Sequence, residues 1–276
     1  MIVITAATGE YGSLVVENLL QRVSPTELVV AVRNPSKAEQ WSDRGVDVRF
    51  ADYDHPESLR EAFRGAGRLL FISSPVSDEA GSRVDQHRKV VEAAADAGVG
   101  TIAYTSGVGA DVVEHGVLGE HNATEQIISE SGLPHIFLRH PLYSDLFITR
   151  EVLRSALEAG EVSSNTAGRG LNTAFRADLA KAAALVLSRD DLDQDLYEFT
   201  GPLWTYPQLA EVLTEVSGQP VKYRELEGDE VDPLSLTQVI RAGGFEYQTP
   251  DLQQVLGHPA ISLREGVTRV LTSATA

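Results

Sequence analysis

Residues 2–12, IVITAATGEYG, run an apolar strand directly into a glycine-bearing turn and then into an amphipathic segment. Isoleucine and valine suit the doubly buried pleat of a parallel sheet. A strand, a glycine turn and a helix in this order are how a nucleotide-binding β-α unit begins. Gly9 and Gly12 let backbone approach a diphosphate, and the N–H groups that open the helix face its charge. The spacing is that of G-x-x-G-x-x-G, with Ala6 standing where the first glycine is expected. The effect of that methyl group turns on one angle. With negative φ at residue 6 alanine costs little, whereas with positive φ, or with its Cβ aimed at the diphosphate, binding is weakened.

Apolar runs recur outward from this unit at 28–33, 46–52, 68–73, 101–106 and 135–139, with helical segments between them. Such alternation implies crossovers and a doubly wound parallel sheet covered by helices on both faces, an α/β fold. Pro35 and Pro56 sit at helix starts, where the missing proline donor does no harm, and Gly98 and Gly132 sit where helices should end. Past residue 140 the pattern loosens. Segments 151–159, 177–187, 206–217, 233–242 and 262–272 read as helices, and 196–200 and 221–226 as short strands. The expected division is a Rossmann domain over 1–140 and a smaller, mainly helical substrate lobe over 141–276, with some later segments returning to the sheet.

The chain has 276 residues, 42% hydrophobic, with a formal net charge of −17 and no cysteine. Its acidity argues against nucleic acid, since no basic stripe is present to neutralise phosphates, and against anionic membranes. No apolar run approaches the roughly 18 residues of a membrane span, and no leader precedes the first strand, so a cytoplasmic location is expected. The lack of thiols removes disulfides and Cys-ligated metals together, so redox chemistry has to come from a cofactor.

The second strand ends at Arg33, followed by Asn34, Pro35, Ser36 and Lys37. A site that prefers NAD carries an acidic residue here for the ribose hydroxyls. A guanidinium can instead stack on adenine and fork onto a 2′-phosphate, with Lys37 adding a second positive charge, which points to NADP(H). Asp52, closing the third strand, either contacts the adenine side or caps the following turn. Ser73, Ser74 and Pro75 end the fourth strand, and Tyr104, Thr105 and Ser106 end the fifth, both near the expected nicotinamide.

Absences are informative too. Carbonyl reduction in short-chain folds uses a Tyr with a Lys four residues on, and none of the 8 tyrosines has lysine at that spacing. The histidines form no convincing ligand set, so no metal is expected, and no G-x-S-x-G elbow supports a serine hydrolase.

TAATGEYG, VRNPSKA, ADYDHPESLREAF, LLFISSP, QHRKVVEAAADAGVGTIAYTS, GEHNATEQIISESGLPHIFLRH and PLYSDLF, in this order, resemble the NmrA-like atypical short-chain dehydrogenase/reductases, and within them the bacterial NADPH:quinone oxidoreductase branch. The similarity spans roughly residues 1–215. It implies an NADPH-binding Rossmann domain and a small-molecule quinone as acceptor. Thr8, Gly9, Glu10, Tyr11 and Gly12 would form the phosphate loop, and Arg33 and Lys37 would recognise the 2′-phosphate. Ser73, Ser74, Pro75, Thr105 and Ser106 would line the nicotinamide side. His121, Thr124 and Glu125 lie on the helix that supplies Tyr-x-x-x-Lys in typical members, and Tyr143 follows the sixth strand. Tyr143 and His121 are the candidate proton donors or orienting groups. Ala6 and His140-Pro141 depart from the family pattern.

The leading expectation is NADPH-dependent reduction of a quinone by direct hydride transfer, for which a missing Tyr-Lys pair is tolerable because quinones accept hydride readily. One alternative is a non-catalytic NADP(H) redox sensor of the NmrA type acting on a protein partner. Another is an NADPH reductase of a different carbonyl or unsaturated metabolite. A homodimer is compatible with all three.

Overall fold

The computed structural model describes residues 1–75, 82–112, 116–189, 194–227 and 236–273. In chain order its elements are β1 (Ile2–Thr5), α1 (Glu10–Leu19), β2 (Leu28–Val32), α2 (Glu39–Ser42), β3 (Asp47–Phe50), α3 (Pro56–Phe63), β4 (Arg68–Phe71), α4 (Ser82–Asp96), β5 (Thr101–Gly107), α5 (Gly116–Glu130) and β6 (His135–His140). There follow β7 (Leu142–Tyr143), α6 (Arg150–Ala159), β8 (Glu161–Ser164), β9 (Leu171–Ala174), α7 (Arg176–Leu187), β10 (Leu196–Glu198), β11 (Leu203–Trp204), α8 (Tyr206–Ser217), β12 (Lys222–Glu225), α9 (Leu236–Arg241), α10 (Asp251–Leu256) and α11 (Leu263–Thr272).

The chain forms two compact units. One comprises Met1–His140 with Leu179–Glu198, and the other Pro141–Asp178 with Phe199–Ala276. In the larger unit, seven strands make a sheet in the order β10-β6-β5-β4-β1-β2-β3. Every pairing is parallel. β1 has β2 on one side and β4 on the other, with Ile4 opposite Val30 and Leu70. The strand order reverses at this point, and open α/β sheets bind ligands beyond the strand ends there.

All residues of β1 and β2 are buried, as expected for strands covered on both faces. On one side Val3, Val29, Leu69, Phe71, Ile102 and Tyr104 pack with Leu59 and Phe63 of α3 and Val90 and Ala94 of α4. Along α4 the buried residues Arg83, His87, Val90, Val91 and Ala94 fall at helical spacing, so two polar side chains share the stripe that faces the sheet.

The smaller unit holds a three-stranded sheet, β11-β9-β7, a two-stranded one, β12-β8, and a core containing Leu153, Leu171, Trp204, Leu209, Leu213 and Val267. Two of its helices begin with reciprocal caps, Thr205 with Gln208 and Ser262 with Glu265. Strands β8 and β9 have no counterpart in the sequence reading. Their sequences, EVSS and LNTA, bury hydroxyls and an amide beside the apolar Val162, Leu171 and Ala174, with Ser164, Asn172 and Thr173 all buried. Hydrogen bonds cover the polarity: Trp204 Nε1 donates to Thr173 Oγ1 at 2.8 Å, and Gly201 N donates to Asn172 Oδ1 at 3.2 Å. The helix expected over 233–242 appears as α9, its first expected residues lying outside the described ones. Among the described residues no helix is long and apolar enough to cross a membrane, and no cluster of His, Asp and Glu is arranged to hold a metal ion.

Candidate functional site

The turn after β1 is tight. Ala6 has φ of 48°, in the left-handed region, and its carbonyl accepts a hydrogen bond from Gly9 N at 3.0 Å. Helix α1 then starts at Glu10 with Gly9 as an extended N-cap that offers no side-chain cap. A helix leaves its first N–H groups without partners inside the helix, and glycine at the cap keeps them open to an anion. Gly12 is required by packing, since a Cβ there would lie 2.5 Å from Ala6 O and 2.9 Å from Ala7 Cα. At Gly9 a Cβ would meet Ala6 O at 3.3 Å. The angle on which Ala6 turned is therefore positive, and left-handed backbone costs a residue with a Cβ about 1–2 kcal/mol. The Ala6 side chain is exposed and Thr8 and Glu10 beside it are exposed as well, while Tyr11 and Gly12 are buried.

At the end of β2 burial stops abruptly: Val32 is buried and Arg33 exposed. Asn34 Oδ1 accepts from Ser36 N at 3.2 Å and from Ser36 Oγ at 2.7 Å, fixing the short 3-10 turn that carries Lys37. Arg33 and Lys37, both exposed, form no ion pair among the described residues. Asp52 caps the following turn, accepting from Asp54 N at 3.1 Å and lying 3.3 Å from His55 Nδ1.

The tips of β4 and β5 are tied into one polar network, and its donor directions follow from groups that can only donate. Arg83 of α4 donates Nε to Ser74 O at 2.8 Å, one guanidinium nitrogen to Glu120 at 3.0 Å and the other to His121 Nε2 at 3.2 Å. A guanidinium has no acceptor, so His121 holds its proton on Nδ1 and donates it to the Tyr104 hydroxyl at 2.8 Å. Ser74 N donates to His87 Nε2 at 3.0 Å, which leaves the His87 proton on Nδ1, 2.9 Å from Thr124 Oγ1. Thr124 in turn donates to Glu120 O at 2.8 Å. Burial, reinforced by the Arg83 charge, drives the His87 pKa down to about 3 and that of His121 to about 2. His140, at the end of β6 with its ring edge-on to Tyr11 at 5.1 Å, is lowered to about 3 by burial alone. Thr105 Oγ1 accepts from Ser73 N at 2.9 Å, joining the two strand tips.

A second, ionic cluster closes the far side of β5. Arg139 donates to both oxygens of Glu125, at 2.9 and 2.7 Å, and pairs with Glu198 at 3.0 Å and Asp111 at 2.9 Å. Ser106 Oγ donates to Glu125 Oε1 at 2.5 Å. Ser106, Glu125 and Arg139 are all buried. A desolvated carboxylate is tolerable only with such partners.

Tyr143 belongs to the smaller unit, where the Arg176 guanidinium sits 4.5 Å over its ring. Burial raises the phenol above its ordinary pKa while Arg176 opposes that rise. His121, the other candidate donor, is buried and committed to Tyr104 and Arg83. The structure thus places Thr8 and Gly9 in the turn and Glu10, Tyr11 and Gly12 at the start of α1, leaves Arg33 and Lys37 both exposed beyond β2, and joins Ser73 and Thr105 at adjacent strand tips, with Ser74 and the exposed Pro75 just beyond. Sequence reasoning passed over Arg83, His87 and Arg139. The one available signal for the first two was an i, i+4 polar pair on the apolar stripe of α4, and for Arg139 a lone guanidinium inside the run HIFLRH.

A family model described as NAD(P)H-binding matches residues 6–190. The chain belongs to this NAD(P)H-binding family. Quinone oxidoreductase 2 of Escherichia coli is 38% identical to it, the match covering 98% of each chain. Among solved structures, triphenylmethane reductase from Citrobacter sp., crystallised with NADP(H), superposes with a TM-score of 0.90 at 35% identity, covering 98% of this chain and 100% of that one. The E. coli quinone oxidoreductase crystallised with NADPH superposes with a TM-score of 0.87 at 36% identity, covering 99% and 100%. The resemblance carried by the sequence motifs is borne out, as is the Rossmann sheet it implied.

Two outcomes follow. Ala6→Gly removes left-handed strain at an exposed position and should raise unfolding stability in urea by about 1 kcal/mol; an unchanged or lower midpoint contradicts the strain. The three buried neutral imidazoles bind protons only on unfolding, so stability should be complete above about pH 6.5 and fall on acidification toward pH 3. Each adds about 1.4 kcal/mol per pH unit to the slope between roughly pH 6 and 4. Urea titrations at pH 7.5 and 5 check this, and equal stabilities at the two values contradict it.

Proposed function

We propose that this chain is an NADPH-dependent reductase whose acceptor is a quinone and whose chemistry is direct hydride transfer. The observation that carries the cofactor preference is the exposed pair Arg33 and Lys37. In a chain of net charge −17, two neighbouring cations without a carboxylate partner among the described residues are suited to an added anion. They stand where an NAD site would place an acid, and a guanidinium with a nearby ammonium matches the 2′-phosphate of NADPH.

The remaining residues fit a dinucleotide. The uncapped start of α1 offers N–H groups to the diphosphate, and Gly12 seats that helix against the turn. When bound, the dihydronicotinamide supplies the hydride. The chain's own part is to bind, orient and exclude water. Ser73, Ser74 and Thr105 present a strand-tip surface held rigid by Arg83 and His87. No lysine takes part in the described network, and Glu125 is engaged by Arg139 and Ser106, so Tyr-Lys chemistry has no counterpart here. A quinone does not need it, because its reduced oxygens take protons readily.

Between the two candidate donors the reading favours Tyr143. The His121 proton is already given to Tyr104, and a pKa near 2 leaves no second proton at neutral pH. The similarity to a quinone oxidoreductase over 98% of the chain supports the choice of acceptor.

Steady-state oxidation of NADPH with a simple benzoquinone tests the reading. Turnover is expected, whereas a folded protein that binds NADPH and turns over no quinone would point instead to a redox sensor. Arg33→Ala should weaken NADPH binding by about 1.5–3 kcal/mol, roughly 10- to 150-fold, and leave NADH binding unchanged; calorimetric titration of both coenzymes checks it, and an equal loss for NADH contradicts a 2′-phosphate contact. Tyr143→Phe should lower kcat at an unchanged Kd for NADPH, and wild-type kcat would remove the phenol from the mechanism.

A further inference from the structure

Hydroxyl groups crowd the tips of β4 and β5: Ser73, Ser74, Tyr104, Thr105 and Ser106. Once the donor directions are followed through, their protons are not equivalent. Ser106 gives its proton to Glu125. Ser74 Oγ lies 3.0 Å from His87 Nε2 and shares with Ser74 N the one lone pair of that nitrogen. Tyr104 accepts from His121 and bonds to Thr124. Thr105 Oγ1 accepts from Ser73 N and donates to Ser73 Oγ at 3.3 Å. Ser73 Oγ is therefore engaged as an acceptor, and among the described residues its own proton has no partner. Burial divides the group: Tyr104, Thr105 and Ser106 are buried, while Ser73 and Ser74 are half-buried.

We infer that Ser73 is a catalytic residue: its hydroxyl donates a hydrogen bond to the quinone oxygen on which charge builds during hydride transfer. The inference rests on the quinone-reductase reading above and names the group that stabilises its transition state. In that step the hydride leaves the dihydronicotinamide with both electrons of its C–H bond and bonds to the quinone. The cofactor is oxidised by two electrons and the quinone reduced by two. Negative charge collects on a quinone oxygen, and one proton, drawn from solvent, completes the hydroquinone. Ser73 is not consumed. Its contribution is a donor whose oxygen is already fixed by Thr105, so little reorganisation is needed as charge develops. Accepting from Thr105 polarises the Ser73 hydroxyl and makes it a better donor.

The test compares Ser73→Ala and Ser73→Thr with the wild type in NADPH oxidation, using benzoquinones of decreasing electron affinity, with NADPH binding followed by calorimetry. Ser73→Ala should lose tenfold or more in kcat while its Kd for NADPH stays within twofold. The loss should grow as the quinone becomes a poorer hydride acceptor, because more charge then rests on its oxygen at the transition state. Ser73→Thr, which restores a hydroxyl, should recover most of the rate. Ser73→Ala with kcat within twofold of the wild type for every quinone overturns the inference and leaves the quinone-reductase reading standing. A loss matched by an equal weakening of NADPH binding also overturns it, assigning the hydroxyl to the cofactor. A wild type that turns over no quinone overturns both.

Discussion

Helix α1 begins in direct contact with the turn after β1, and the larger unit's chemistry is organised around that contact. Gly12 has no room for a side chain because the Ala6 carbonyl and Ala7 Cα occupy the place a Cβ would take. To make that approach, the chain turns sharply at residue 6, and the turn is left-handed. The cost falls on Ala6, whose side chain is exposed and contributes nothing to the core. A strained backbone conformation persists only where its surroundings impose it. Here they are the parallel pairing of β1 with both β2 and β4 and the seating of α1.

From this contact the other site features follow in sequence. β1 sits where the strand order reverses, so the ends of β2 and β4 flank the turn. β2 ends on Arg33, and β4 runs out into Ser73 and Ser74. Arg83 and His87 then hold the β4 tip by its backbone, the guanidinium on Ser74 O and the imidazole on Ser74 N. That imidazole can accept only while neutral, and burial keeps it so. Positioning is thus built from uncharged histidines and one buried guanidinium.

Much of this was legible in the sequence because the larger unit is made of short apolar runs that can be little else. β2 was expected over 28–33 and occupies Leu28–Val32; β6 was expected over 135–139 and reaches His140. Arg33 and Lys37 stood out because cations interrupt an acidic chain at a fixed point of the motif. What could not be read was long-range or conformational. The φ of Ala6 is set by packing, not by its neighbours in sequence. Arg83 meets His121 across a separation of 38 residues, and Arg139 meets Glu198 across 59, so no local pattern announces either pair. β8 and β9 hid for a different reason: beside the buried Val162, Leu171 and Ala174 they carry Ser164, Asn172 and Thr173, residue types that ordinarily signal turns.

The central claim is that this strained turn and the cations beyond β2 together hold a phosphorylated dinucleotide. The measurement that tests it most directly is a crystal structure of the protein grown with saturating NADPH. It should show the diphosphate at the first N–H groups of α1, the 2′-phosphate within hydrogen-bonding distance of Arg33 and Lys37, and residue 6 still at positive φ. A coenzyme whose 2′-phosphate points away from both cations, or a turn left empty at saturation, would contradict the account.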